Sequence, residues 1–301
     1  MGDYRSSDLA FVGRAVELWE EPGERGYHPR LFCQLALPYK DPGELPFWRR
    51  RNGDFTLTIR PAVETGPDGL DRVGYPFGTV PRLLLSWLAT EVVRTREREI
   101  VLGDSLASFM RDLGMGAATG GRSGTITRLR RQMNRLFDAA ISAGFDGDPN
   151  RDIGQNFMIA AAKSLWWSSA DRNADQISLL PSTVRLSDEF YRELIEHPVP
   201  VDLDALRLLQ VSPLRLDIYA WLTHRNSYAK RRSNITWTQL RNQFGSNTAT
   251  NTRQGRAKFR ELFTRQLGYV LTVYPSARVD VHPEGLVVHP APPHVQRRPL
   301  P

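Results

Sequence analysis

Apolar positions recur at helical spacing in several stretches of the chain. Leu84, Trp87, Leu88 and Val92 share one face, with Thr79 placed to cap the helix and Pro81 suited to its first turn. Leu106, Phe109, Met110 and Leu113 repeat the pattern behind Asp104 or Ser105 as cap, and Gly114 ends it. A Gly-rich loop, 114–124, leads to a third helix predicted from Thr125 to Ala143, stopped by Gly144. On a helical wheel its Ile126, Leu129, Met133, Leu136, Phe137 and Ala140 fall in one arc. Arg128, Arg131 and Arg135 fall opposite, flanked by Gln132 and Asn134. Before these helices, Leu31–Leu37 and Phe55–Ile59 read as strands, and residues 1–10 read as loose. After them, 156–162, 164–168 and 177–187 read as a β-hairpin around a turn at 171–175.

The same order then recurs. A helix over 188–197 is broken by Pro198-Val-Pro-Val-Asp202. Ser212-Pro213 starts a helix carrying Leu214, Ile218 and Leu222, and a basic connection follows over 227–234. Thr236 caps a short helix with Trp237, Leu240 and Phe244, closed by Gly245. A Ser/Thr/Asn loop, 246–252, precedes a helix over 253–267 with Phe259, Leu262, Phe263 and Leu267 inward and Gly268 as its stop. Residues 269–274 read as extended, and 278–282 with 286–289 form a second hairpin around Pro283-Glu284-Gly285.

Three helices followed by a hairpin is the winged helix-turn-helix plan, in which the third helix enters a DNA groove and the hairpin is the wing. The sequence therefore predicts a mixed α+β fold, mainly helical, with two tandem winged helix-turn-helix domains. The expected boundaries are an N-terminal segment 1–30, partly flexible; a first domain 31–197, including the early strands; a linker 198–212; a second domain 213–289; and a disordered Pro-rich tail 290–301. For a chain of 301 residues about two domains is the ordinary count.

Charge gives these helices a purpose. The chain carries 40 Lys and Arg against 33 Asp and Glu. Between Arg225 and Arg265 stand ten basic residues and one acid, Glu261. A second acid-free cluster holds Arg122, Arg128, Arg130, Arg131 and Arg135. Two such clusters on a near-neutral remainder point to a polyanion, and arginine's planar fork suits phosphates and guanine edges. The predicted contacts in the first domain are Arg122, Arg128, Arg131 and Arg135. In the second they are Arg231 and Arg232 in the basic connection and Arg253, Gln254, Arg256, Lys258, Glu261 and Arg265 on the last long helix. Gln254, Lys258, Glu261 and Arg265 lie on one outward face; Glu261 offers an acceptor to a cytosine amino group, and Gln and Arg match adenine and guanine edges. The second domain is thus expected to read bases and the first to lean on the DNA backbone.

Other chemistry finds little support. Cys33 is alone, so neither an intramolecular disulfide nor a cysteine zinc site is expected, and the chain suits a reducing cytoplasm. The longest apolar run, 83–89, is too short to span a bilayer, and the N-terminus has no signal-peptide pattern. No phosphate-binding Gly-Lys-Ser/Thr loop occurs, and the loop around Gly114, Gly116, Gly120 and Gly121 has a nucleotide-binding spacing that is one residue off and follows a helix. The six histidines form no His-x-His or His-Glu-x-x-His motif. A non-enzymatic DNA binder without cofactor or metal is the expectation. Trp166-Trp167 read as wing core, and Trp221 and Trp237 as second-domain core.

Five segments carry a family resemblance: YPFGTVPRLLLSWLATE (75–91), IVLGDSLASFMRDLG (100–114), GGRSGTITRLRRQMNRLF (120–137), LSDEFYREL (186–194) and SPLRLDIYAWLTHR (212–225). Together, and in this order, they resemble the RepA family of plasmid replication initiators, over about 30–295, with 1–30 matching least. The resemblance implies a two-winged-helix protein of the bacterial cytoplasm that binds repeated sites (iterons) at a plasmid origin. It also implies opening of an adjacent AT-rich region, recruitment of the host initiator and replicative helicase, and a monomer–homodimer balance limiting copy number. From the residues alone, a winged-helix transcription regulator and a DNA-processing enzyme stay open. Two unlike heads in one chain make an asymmetric reader, which suits direct repeats better than palindromes; heads in successive grooves need centres about one turn, ~10 bp, apart, hence a site of roughly 20 bp.

Overall fold

Element order follows the alternation of apolar stripes and breakers. Helix α1 (Ser6–Glu20) and strand β1 (Arg25–Pro29) lead to the short helix α2 (Arg30–Gln34), then strands β2 (Trp48–Asn52), β3 (Phe55–Arg60), β4 (Val63–Gly66) and β5 (Gly69–Arg72). Next come α3 (Thr79–Thr95), β6 (Glu99–Val101), α4 (Leu106–Asp112), α5 (Thr125–Phe137), β7 (Ala140–Phe145), β8 (Ile153–Met158), β9 (Ala160–Ser164) and β10 (Thr183–Leu186). The chain continues through α6 (Asp188–Glu196), β11 (Pro198–Asp202), α7 (Leu203–Leu209), α8 (Pro213–Asn226), β12 (Ser233–Thr236), α9 (Trp237–Phe244), α10 (Arg253–Val273), β13 (Arg278–His282) and β14 (Gly285–His289). This is a computed structural model that describes residues 6–21, 23–66, 69–103, 105–121, 123–145, 153–165, 182–245 and 252–296. The architecture is mixed α+β with small antiparallel sheets.

One topology occurs twice. The order α3–β6–α4–α5–β9–β10 matches α8–β12–α9–α10–β13–β14, and in both the first strand pairs with the last: the sheets run β6-β10-β9 and β12-β14-β13. The first copy differs by an insertion, the hairpin β7–β8. That hairpin joins the N-terminal strands in a four-stranded sheet, β2-β3-β7-β8. The sheet reaches across to the second copy, where Arg50 of β2 donates from its guanidinium to the Gly245 carbonyl; beside it, Gln243 Nε2 of α9 donates to the Gln34 carbonyl of α2 at 2.9 Å.

The two copies share one buried apolar cluster, from Leu84 and Leu88 of α3 through Ile218 and Leu222 of α8 to Phe263 and Leu267 of α10. Within it sits a charged joint. Arg82 of α3 donates from Nε to one Asp217 oxygen of α8 at 2.6 Å and from an η nitrogen to the other at 2.7 Å. Its remaining donors meet the carbonyls of Leu37, Pro38 and Gly78. A fork so fully used locks the first helices of the two copies together.

Several expectations are revised. Residues 31–34 are helical in α2, with Phe32 and Cys33 buried, because a short, mostly apolar run does not reveal whether its period is that of a helix or a strand. Residues 6–10 are helical in α1, and residues 1–5 lie outside the described residues. The cap of α3 is Gly78, at φ +77°, in place of Thr79. Helix α5 ends at Phe137, and residues 140–145 form β7, because pairing on both sides with β3 and β8 outweighs alanine's helical preference. The expected strand over 156–162 is two strands, β8 and β9, broken at the fully buried Ile159. The turn of that expected hairpin and Trp166-Trp167 fall within 166–181, outside the described residues; the described end of its returning strand is β10, paired antiparallel with β9. The segment read as a linker holds β11, paired with β1, and α7. Helix α10 runs through Gly268 to Val273, because Val270 and Val273 extend the buried stripe of Phe263 and Leu267 past the glycine. Leu262, expected inside, is exposed. The Pro-rich tail is pinned as far as it is described: Tyr219 Oη and His294 Nδ1 are 2.8 Å apart, and Tyr274 Oη donates to the Pro292 carbonyl.

Candidate nucleic-acid interface

Two helices occupy equivalent places in the repeated topology, α5 and α10. Helix α5 starts where the Gly-rich loop folds back. Thr125 N donates to Thr119 Oγ1 at 3.0 Å, Thr119 N donates to Thr125 Oγ1 at 2.8 Å, and Thr127 Oγ1 donates to the Gly121 carbonyl at 2.7 Å. Gly124 is required here, since a Cβ would lie 2.3 Å from the Thr119 and Gly120 carbonyl oxygens. Ile126, Leu129, Met133, Leu136 and Phe137 are buried, which fixes the rotation of the helix and turns Arg128 and Arg131 to the surface.

Arg135, expected beside them, turns back into the protein. Its Nε donates to the Val73 carbonyl and an η nitrogen to Asp41, both at 2.9 Å, and the guanidinium lies 5.2 Å from the Phe77 ring centroid. Gly74, at φ +86°, makes room: a Cβ there would stand 2.8 Å from the guanidinium. Gln132, expected at the edge of the outward face, is buried and accepts from Phe77 N at 2.9 Å. The outward cationic face of α5 therefore comprises Arg128 and Arg131. Arg122 lies outside the described residues.

Helix α10 is 21 residues, about 30 Å long at 1.5 Å per residue. Thr252 caps it, its hydroxyl accepting from Gly255 N at 3.1 Å. Phe259, Phe263, Gln266, Leu267, Val270 and Val273 face inward. Arg253, Gln254, Arg256, Lys258, Glu261 and Arg265 are all exposed, and Gln254, Lys258, Glu261 and Arg265 lie on the face opposite the buried stripe. Arg231 and Arg232 are exposed in the connection before β12. Trp221 is buried, and Trp237 packs edge-on against Phe263 with the Arg260 guanidinium 5.4 Å from its ring centroid.

Sequence reasoning passed over some residues. Arg278 is exposed on β13, in the hairpin that follows α10, and Arg49 and Arg51 are exposed on β2; strand alternation was the available signal. Arg82 was missed for another reason. It shares a helical face with Leu85, Ala89 and Val93, so its burial was legible, but its partner 135 residues away was not.

A mixed α+β chain with a twice-used helix–strand–helix–helix–strand–strand unit is the class this fold defines. The sequence profile of the family described as "Plasmid encoded RepA protein" matches residues 75–239, more than half of the chain, from the start of α3 into α9. The chain belongs to that family, the RepA-type plasmid replication initiators. Among curated proteins none matches the sequence at significance. Its fold is similar to a crystal structure of domains 2 and 3 of RctB, at 13% identity and a TM-score of 0.50, covering 80% of this chain and 83% of that one. A second structure of RctB domains 2–3 aligns at 12% identity with a TM-score of 0.48, over 82% of this chain and 83% of that one. No helix among the described residues is long and apolar enough to cross a membrane.

Proposed function

We propose that this chain is a non-enzymatic initiator that binds directly repeated sites at a plasmid origin, with α5 and α10 as the groove-facing helices of two winged helix-turn-helix units. The observation that carries the reading is the repeated topology: in each copy the third helix follows a short second helix, precedes the last two strands, and presents exposed arginines. In the winged-helix plan that third helix is the one inserted into the major groove. Arg128 and Arg131 serve as backbone contacts of the first unit. Gln254, Lys258, Glu261 and Arg265 serve as base-reading side chains of the second, with Arg231, Arg232, Arg253 and Arg256 adding phosphate contacts. The joint between Arg82 and Asp217 holds the two heads at one spacing, so site length is set by the protein. Strand opening draws its energy from binding and from partners, the host initiator and the replicative helicase, and a monomer–dimer balance limits copy number.

The reading is tested with duplexes bearing head-to-tail repeats of about 20 bp. The intact protein is expected to bind them in preference to permuted sequences, with permanganate-reactive thymines appearing beside the repeats on a supercoiled plasmid. Arg128→Ala and Arg131→Ala are each expected to reduce the slope of log K against log salt by about one. Unchanged slopes for both overturn the role of α5. Tight binding without permanganate reactivity makes the protein a transcription regulator, and metal-dependent nicking of the plasmid makes it an enzyme.

A further inference from the structure

Beside the exposed arginines of α5 lies a cleft of about 410 Å³. Three chain segments wall it: the start of α3 at Thr79 and Val80, the side of α5 bearing Arg128 and Arg131, and Val211 and Pro213 at the start of α8. The described lining contains two guanidiniums and no carboxylate, and neither arginine has an ion-pair partner among the described residues. Helices α3 and α8 both begin here without a side-chain cap, so the positive ends of two helix dipoles face the same space as the two cations. The walls are held in place by the Arg82–Asp217 pair, which joins α3 to α8. Two exposed arginines lining an acid-free cleft offer the forked donors that suit a tetrahedral dianion or a phosphodiester.

We propose that this cleft seats one phosphate of a DNA backbone at the junction of the two units, held between Arg128 and Arg131. The inference rests on the reading of α5 as a DNA-facing helix and adds a fixed point to it. A phosphate anchored between the starts of α3 and α8 sets the register of both heads on the duplex at once. A free polyphosphate has the same chemistry, so the experiment includes both sources.

Val211 is 79% exposed at the cleft mouth, so Val211→Glu places a carboxylate there without disturbing the core. Leu9→Glu, on the exposed side of α1 and not part of the cleft lining, makes the same change in charge outside the cleft. The probes are a labelled 30-bp duplex titrated from low to high salt and inorganic pyrophosphate followed by calorimetry. Val211→Glu is expected to weaken duplex binding about tenfold and to lower the salt slope by about one, while Leu9→Glu stays within twofold of the parent. Pyrophosphate is expected to bind no tighter than millimolar. Duplex binding undiminished in Val211→Glu, with Arg128→Ala and Arg131→Ala still lowering the slope, overturns the cleft and leaves α5 on the DNA. Slopes unchanged from the parent in all three variants overturn the reading of α5 itself. Micromolar pyrophosphate binding abolished by Val211→Glu, with duplex binding intact, assigns the cleft to a free polyphosphate and overturns the backbone contact.

Discussion

Replacing Arg82 by alanine probes the joint between the two units. Arg82 and Asp217 are both buried, and the guanidinium serves two carboxylate oxygens and three backbone carbonyls. Removing it strands the Asp217 carboxylate in the interior and leaves the Leu37, Pro38 and Gly78 carbonyls without that donor. Breaking a buried ion pair from one side costs about 3–5 kcal/mol, most of it the penalty for the charge left behind. With an unfolding entropy of about 2.1 cal/mol/K per residue over a chain of this size, that loss lowers Tm by about 5–8 °C. The double variant Arg82→Met/Asp217→Leu removes both charges and keeps the volume, and it is expected to recover most of the loss, since a well-packed apolar pair is often as stable as the ion pair it replaces. Urea unfolding of the parent, both single variants and the double variant closes the cycle. A cost below 1 kcal/mol for Arg82→Ala would refute the argument, because it would mean that water reaches the joint and solvates Asp217. So would a double variant as unstable as the singles, because the pair's shape, and not its charge, would then be what holds α3 to α8.

Three further outcomes follow from the same reasoning. His28 is buried with its Nδ1 2.7 Å from Ser86 Oγ, and burial, aided by the nearby Arg82 charge, lowers its pKa to about 3. The unfolded chain takes up this proton near the ordinary value of 6.5, so stability is whole above pH 6.5 and falls as pH drops from there toward 3, by at most about 1.4 kcal/mol per pH unit; His28→Gln should flatten that part of the stability–pH curve, and a parallel curve would show that other groups cause the loss. Leu136→Ala removes a fully buried side chain from the inner face of α5 and is expected to cost about 2–5 kcal/mol in urea unfolding. Arg135→Ala is expected to leave the salt slope of DNA binding unchanged while costing about 2–3 kcal/mol of stability, since its hydrogen bonds run to Asp41 and the Val73 carbonyl; a lowered slope would return it to the DNA-facing set.

Much of this organisation was written locally. The wheel of α5 placed Leu129, Met133 and Leu136 inside and Arg128 and Arg131 outside, because a 3.6-residue period and an apolar stripe fix rotation before any partner is known. Thr236 with Gln239 forms the capping box that starts α9, and Ser105 caps α4, both hydrogen-bonding within four residues of sequence. The succession of three helices in each repeat, the basic faces of α5 and α10 and the five family segments were legible for the same reason. Each depends on neighbours in the chain.

What required the tertiary structure depends on residues far apart. Arg135 shares its helix face with Arg128 and Arg131, and only the approach of Asp41, Val73 and the side-chain-free Gly74 draws it inward. Gly268 would ordinarily stop a helix, yet α10 continues because Val270 and Val273 find the core. Residues 140–145 became a strand because β3 and β8 were there to pair with it. The sequence by itself settled the centre of each apolar face, though not its edges at Gln132 and Leu262, and where the cations cluster, since local spacing decides both. Long-range packing, which alone can bury a charge beside its partner or offer a strand its neighbour, decided which cations stay outside, where the elements end and how α3 is joined to α8.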